Sequence, residues 1–369
     1  MSHPYTSLPP NAYWRSGVSD VSPLEFTAIY KPRFAVSESM SIAAAGSCFA
    51  QHIGRHFKLR KYNFIDLEPP PPLMSPQSYE KFGFNLYSAR YGNVYFIRQL
   101  LQLFWRANGI FSPSEDIWHS NGRFFDPFRP SIEPTGFASA EELLRDREYH
   151  LNAVRSLLSQ TDLFVFTFGL TEAWVCRSDG AVLPTCPGTV AGRFDEGRHG
   201  FHNFSYNEIL QDAETFIAFA LQHNPTMKFL VTVSPVPLTA TASGMHVLPA
   251  SVYSKSVLRA VCGELYAKYP QLDYFPSYEL VASHPMRAMF FEPNLRSVSP
   301  VGVEHVMNVF FSAHQSIAAE TPLQEMPAAE RKRVPKRKKL ARKKRKAKAR
   351  AGGSGNVICD EEILEVFGR

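Results

Sequence analysis

The stretch Ser41-Ile42-Ala43-Ala44-Ala45-Gly46-Ser47-Cys48-Phe49-Ala50-Gln51-His52-Ile53-Gly54-Arg55-His56-Phe57 decides how the chain is read. It opens with a short apolar run, Ile42 to Ala45, that Gly46 interrupts. A helical pattern follows, with Phe49, Ile53 and Phe57 four residues apart on one face. The reading is strand, sharp turn, helix. Glycine turns tightly and keeps bulk away from its neighbour. Ser47 then falls at the helix N-terminus, among N–H donors without helical partners and at the positive end of the dipole. A hydroxyl there can cap the helix. It can also act as a nucleophile whose substrate oxyanion is held by nearby donors. Cys48 is the rival nucleophile. One step along a helix turns its side chain about 100° away from Ser47, toward the core, where free cysteines usually lie.

Working outward, apolar runs at 162–168, 229–233 and 272–275 read as strands buried on both faces. Helices are expected from Ser139 to Ser159, from Ser205 to Leu221, from Ser251 to Lys268 and from Pro300 to Ser316, the first two opening with Ser-x-x-Glu capping boxes. The run 94–97 leads into a helix through Phe104. Consecutive prolines in Asp66–Ser78 exclude helix and internal strand. Residues 106–136 read as loop, and 176–204 as a loop-rich insertion. The class that follows is α/β, a doubly wound, mainly parallel sheet. In such sheets sites form at the carboxyl ends of strands. Ser47, Gly169 to Glu172 and Ser234 to Pro237 each follow a strand directly, so three distant segments are expected to meet there. The expected organisation is an irregular lead-in over 1–40, the α/β domain over 41–318, a basic disordered linker over 319–356 and a short amphipathic peptide over 357–369.

The net charge of +6 is local. Residues 331–350 hold fourteen Lys or Arg and no acid, and residues 351–369 hold Arg369 with four acids, which leaves 25 basic and 30 acidic side chains in residues 1–330. The body is mildly acidic and the basicity belongs to the tail. Five scattered cysteines without a CxxC fit a reducing compartment. The N-terminal residues lack the pattern of a secretory signal, and no apolar run is long enough to cross a bilayer. A cytoplasmic protein is expected. There is no Walker loop, no GxGxxG and no metal-ligand spacing with a third donor, so no cofactor is expected.

Gly46-Ser47-Cys48-Phe49-Ala50 resembles the signature of the GSCFA domain family, a bacterial group similar to SGNH-type esterases and acyltransferases. Further blocks resemble the family's in order: Asn11–Arg15, Tyr91-Gly92-Asn93, Gly169–Trp174, Ser234–Pro237, Tyr253–Ser256 and Tyr274–Glu279. The resemblance spans the chain to about residue 318 and implies an SGNH-hydrolase-like, flavodoxin-like sheet with long loop insertions. It places Ser47 at the nucleophile and Gly92 at a second-block glycine. Thr171 stands where the third block has asparagine, and Glu172 where it has an acid. The late Asp-x-x-His block is replaced: Asn294 stands at the aspartate and Ser297 at the histidine. Serine cannot serve as the base near neutral pH. The base must then come from elsewhere. His305 is the nearest replacement, His246 and His284 lie in loops after later strands, and Lys255 and Glu172 are further partners.

Two functions are carried forward. One is a serine hydrolase or O-acyltransferase acting on an ester, possibly carbohydrate-linked, through Ser47. The other is a non-catalytic binding or scaffold protein of the same fold. Its tail, 331–350, would attach it to a polyanion such as nucleic acid, an anionic membrane or an acidic polysaccharide. Residues 358–367, ICDEEILEVF, follow a Gly-Gly-Ser-Gly joint and would place Ile363, Leu364 and Phe367 on one face, as a protein-docking peptide does.

Overall fold

The computed structural model describes residues 3–320 and 359–368. The expected basic run 331–350 lies outside the described residues. The chain builds β1 (Ile42–Gly46), α1 (Cys48–Leu59), α2 (Ile97–Ala107), the hairpin β2 (Trp118–Ser120) and β3 (Arg123–Phe125), then α3 (Ala140–Gln160). It continues with β4 (Leu163–Phe168), β5 (Glu172–Cys176), β6 (Val182–Leu183), β7 (His199–Asn203), α4 (Tyr206–His223) and β8 (Lys228–Val233). The remaining elements are α5 (Val247–Lys268), β9 (Leu272–Tyr274), α6 (Ser277–Ala282) and α7 (Pro300–Glu320). A last 3-10 segment spans Asp360–Gly368.

The central sheet has the order β1-β4-β8-β9 and every pairing in it is parallel. Its strands are apolar on both faces because helices cover both. Phe164, Phe166 and Phe168 join α2, α3, α4 and α5 in one core. Leu163, Val165 and Leu230 join Phe49, Ile53 and Phe57 of α1 with Phe310 and Phe311 of α7 in the other. The fold is therefore the doubly wound α/β arrangement expected. Ser139 caps α3 by accepting from the Glu142 N–H, and Ser205 closes a full capping box with Glu208. Helix α5 begins four residues before the expected start, where His246 Nδ1 accepts the Leu248 N–H. Pro249 is tolerated in that first turn because no helical N–H is needed there.

The expected loop-rich insertion over 176–204 is corrected. It contains β6 and all of β7, which flank β5 in an antiparallel three-stranded sheet. Two-residue and histidine-bearing strands such as β6 and β7 carry too little alternation to be read from sequence. The hairpin β2–β3 likewise lies in the stretch expected to be loop. The lead-in is tied down at Asp273, which accepts from Tyr30 Oη (2.8 Å) and from the Arg33 N–H (2.9 Å). Among the described residues, no helix is long and apolar enough to cross a membrane.

Outside the sheet, a buried ion network fixes the loops. Asp126 Oδ2 lies 3.0 Å from Arg129 Nε, and Arg129 Nη2 reaches Asp146 at 2.8 Å. Arg90 also binds Asp146, at 2.8 Å. Burial alone would raise the Asp126 carboxyl, but Arg129, Arg147 and Arg106 hold it well below the usual carboxylate range. A depressed carboxyl contributes stability above its ordinary pKa of about 3.9 and loses it as pH falls below that value. Asp126→Asn is expected to cost about 3 kcal/mol at pH 7 by leaving buried Arg129 undercompensated. The variant should also lose less stability than the parent between pH 4 and 2. Chemical denaturation across that range checks both.

Candidate active site at the carboxyl edge of the sheet

The site begins with the turn after β1. Gly46 has φ +148°, and a Cβ there would stand 2.7 Å from Thr167 O and 2.8 Å from Thr167 Cβ on β4. Only glycine fits so close a pairing. Ser47 takes the N-cap backbone conformation of α1 (φ −68°, ψ 177°), yet its side chain makes no capping bond. Its Oγ is buried and has no hydrogen-bond partner among the described residues. The hydroxyl is thus available for something other than capping. Gly169, the first residue after β4, packs on it: a Cβ on Gly169 would meet Ser47 Cβ at 3.1 Å.

The outer edge of β1 is covered by the loop that carries the second sequence block. The Ala44 N–H donates to Ser88 Oγ (3.0 Å), Tyr91 Oη donates to Ala44 O, and the Val94 N–H donates to Gly46 O (2.9 Å). These bonds place Asn93 beside Ser47. Asn93 Oδ1 lies 2.6 Å from Tyr87 Oη and 3.2 Å from Gln51 Nε2, and Tyr87 Oη lies 3.2 Å from Ser47 O. With its oxygen held by two donors, the Asn93 amide aims Nδ2 outward, where it donates to Asp360 Oδ2 at 2.7 Å. Gly92 supplies the left-handed turn (φ +69°) that brings Asn93 in.

From the other side comes α5. Lys255 is buried and donates from Nζ to Gly169 O at 2.6 Å. Burial lowers its pKa to about 8, and Arg296 adds to the lowering while Glu361 and Cys48 oppose it. The neighbouring Ser254 Oγ accepts the Thr171 N–H at 3.1 Å. Thr171 is buried and its Oγ1 has no partner among the described residues. Glu172 opens β5, and both its carboxylate oxygens lie 2.8 Å from Thr241 Oγ1. It faces a cavity of about 230 Å³ lined also by Phe96, Trp174, Leu238 and Thr241.

The late block brings in a cation. Asn294 Oδ1 accepts from the N–H groups of Arg296 (3.0 Å) and Ser297 (2.9 Å), and its Nδ2 donates to Ser297 Oγ (3.0 Å). The two residues placed by resemblance at the acid and base therefore bind each other and shape a turn. Arg296, between them, is the residue whose side chain is buried. Its Nη2 reaches Cys359 Sγ at 3.6 Å and Glu361 Oε2 at 3.4 Å.

Segment 359–368 therefore covers this ground. The Asp360 N–H donates to Tyr95 Oη at 3.1 Å, and Cys359 Sγ lies 3.9 Å from the same oxygen. Cys48, buried one step into α1, is a free thiol near Cys359, and that neighbour together with burial pushes its thiol up. Cys48 and the Arg296 guanidinium push the Cys359 thiol down.

The histidines stand apart. The His305 ring stacks on Phe290 with centroids 4.9 Å apart. Its Nε2 has no partner among the described residues, and burial lowers its pKa. His246 is occupied as the α5 cap, and exposed His284 stacks on Trp14 at 5.4 Å. Among the described residues, no hydrogen bond or ion pair joins any of the three to Ser47, Lys255 or Arg296. The residues that sequence reasoning passed over are Asn93 and Arg296. Asn93 follows Gly92 and Arg296 lies between Asn294 and Ser297, and only the fold shows which way they point.

Away from this edge, Glu115, Cys176 and His199 bring donor atoms within 4.8 Å of one another. The Asp195 N–H donates to His199 Nδ1 at 3.1 Å, which leaves the ring proton on Nε2, 3.5 Å from Glu115 Oε2. Glu115 also accepts from Trp118 Nε1 and Arg198 Nη2. The cluster is a buried polar group in which Glu115 is held by two donors and His199 Nε2 has no hydrogen-bond partner among the described residues.

A buried serine at a strand-to-helix turn, with an amide, a buried lysine and a buried arginine around it, stands at the carboxyl edge of the sheet of this α/β protein. The family model of the GSCFA family matches residues 41–310, and the chain belongs to that family. No curated protein matches the sequence.

Gly46→Ala is expected to destabilise the protein by about 1–3 kcal/mol from backbone strain, with the Thr167 clash in addition. A lower denaturation midpoint at unchanged slope checks it.

Proposed function

We propose that the chain is a serine hydrolase or O-acyltransferase similar to the SGNH type, with Ser47 as nucleophile and Lys255 as proton acceptor. The observation that carries this reading is the buried, uncapped Ser47 hydroxyl packed against Gly169, whose carbonyl holds the Lys255 amine. A lysine serves as base only when neutral. With its pKa near 8, roughly one molecule in ten is neutral at pH 7. Asn93 Nδ2 is the side-chain donor for the oxyanion, as its hold on a carboxylate oxygen of Asp360 suggests. Thr171 and Gly92 shape the pocket around it. The ester acted on is small or glycan-linked. His305 has no step in this reading.

In the reaction, Ser47 Oγ attacks the ester carbonyl as its proton passes to Lys255 Nζ. The tetrahedral oxyanion forms against Asn93. Its collapse expels the alcohol, which takes the proton from Lys255, and water or an acceptor hydroxyl repeats the sequence to free the acyl group.

A binding role without turnover is favoured by one observation: the edge above Ser47 is covered by the chain's own residues 359–368. The two readings part on one experiment. Ser47 should be labelled by a fluorophosphonate and Ser47→Ala should not. Ester turnover found by screening should vanish in Ser47→Ala and fall about 10²–10⁴-fold in Lys255→Met. The rate should rise with pH up to about 8 in the parent, and this limb should be missing in Lys255→Met. His305→Ala should keep full activity. Labelling or turnover that survives Ser47→Ala would falsify the mechanism.

A further inference from the structure

We propose that the cleft above Ser47 is a binding site for a carboxylate-bearing ligand, and that residues 359–368 of the same chain are its resident occupant, exchanging with the ester substrate. The docking stands on geometry alone; the exchange with substrate rests on the proposed role of Ser47.

Two parts of the segment engage two parts of the cleft. The acidic part meets donors. Asp360 binds Asn93 Nδ2 at 2.7 Å, and Glu361 and Glu362 lie 3.4 and 3.6 Å from the Arg296 guanidinium. The side chains of Arg296 and Glu361 are only 8% and 14% exposed, so the pair is well shielded from water. The apolar part, Ile363 and Leu364, lines the cavity beside Phe96 and Trp174. Body residues 1–330 are net acidic, so this reception of acid is particular to the cleft and does not follow from the overall field.

The occupant sits where catalysis would need room. Asp360 Oδ2 takes the Nδ2 donor assigned to the oxyanion, and Cys359 sits near Cys48, the residue after the nucleophile, and bonds Arg296. A substrate must displace both. Residues 321–358 join α7 to the segment, a span of up to about 120 Å when extended, which is ample for a return in cis. Tethered binding of this kind works at a high effective concentration and needs few contacts. The ligand that replaces it should carry a carboxylate for Arg296 and an apolar arm for the cavity.

Hydrogen–deuterium exchange on the full chain tests the docking without relying on activity. In the parent protein the amides of 359–368 should be protected, and equally so over a hundredfold dilution. Glu361→Lys, which sets like charge against Arg296 and Lys255, should speed their exchange about tenfold or more, and Ile363→Asp should do the same. Fluorophosphonate labelling of Ser47 should quicken by a similar factor in both variants. Rapid exchange in the parent, or exchange unchanged in both variants, overturns the docking. Protection that fades on dilution overturns the cis assignment in favour of a second copy. Faster exchange without faster labelling overturns the competition. Absence of labelling in every protein, with exchange behaving as expected, overturns the nucleophile and keeps the occupant.

Discussion

The close approach of Gly46 to Thr167 governs the rest of the site. A side chain there would strike the backbone and Cβ of β4, so β1 could not run parallel to it as far as its last residue. Without that register, the Ser47 N–H would not meet Thr167 O at 3.3 Å and α1 would leave the sheet at another angle. The small residues of β1 extend the same logic. Ala43 and Ala45 let one helical layer close in, and Ala44 does so on the other face. The strand gives up side-chain bulk, and with it hydrophobic contact, to bring backbone near backbone.

An edge strand so short of side chains needs its outer hydrogen-bonding groups covered. Ile42 exchanges bonds with Asn63 and Ile65, Ala44 with Ser88 and Tyr91, and Gly46 with Val94. The same loop that satisfies β1 therefore sets Asn93 and Tyr95 over Ser47. Gln99 on α2 finishes the arrangement, accepting from the Tyr95 N–H and donating to Asn93 O. The cover of β1 and the Asn93 donor are one segment, which is why the proline-rich stretch ahead of it can be irregular without loosening the site.

This division explains what the sequence makes legible. Four buried strands and the major helices follow from apolar runs and caps, because burial on both faces leaves a strong compositional trace. Ser47 stands out for the same reason: Gly46 and a four-residue apolar spacing mark the turn. The direction of a loop side chain leaves no such trace. Asn294, Arg296 and Ser297 alternate in a turn, and composition does not say that the middle one goes inward. Leu295, with φ +53°, is the kink that decides it, and a left-handed leucine is not a feature a sequence announces. The link between residue 360 and Asn93 spans 267 positions and depends on the whole sheet standing between them.

The charge of the site then bears on how firmly its occupant is held. Glu361 and Asp360 are pushed up, chiefly by burial, with Glu361 raised to about 8, so both carboxylates are more readily protonated here than in water. Their desolvation offsets much of the attraction from Arg296 and Asn93. The segment also leaves Val366 and Phe367 exposed, so only part of its apolar surface contributes. Specific contacts, a desolvation cost and a covalent tether together describe an occupant chosen for recognition rather than for strength. On the proposed reading, such an arrangement would yield to a competitor that offers the same carboxylate with a better apolar fit, and would reform once that competitor had gone.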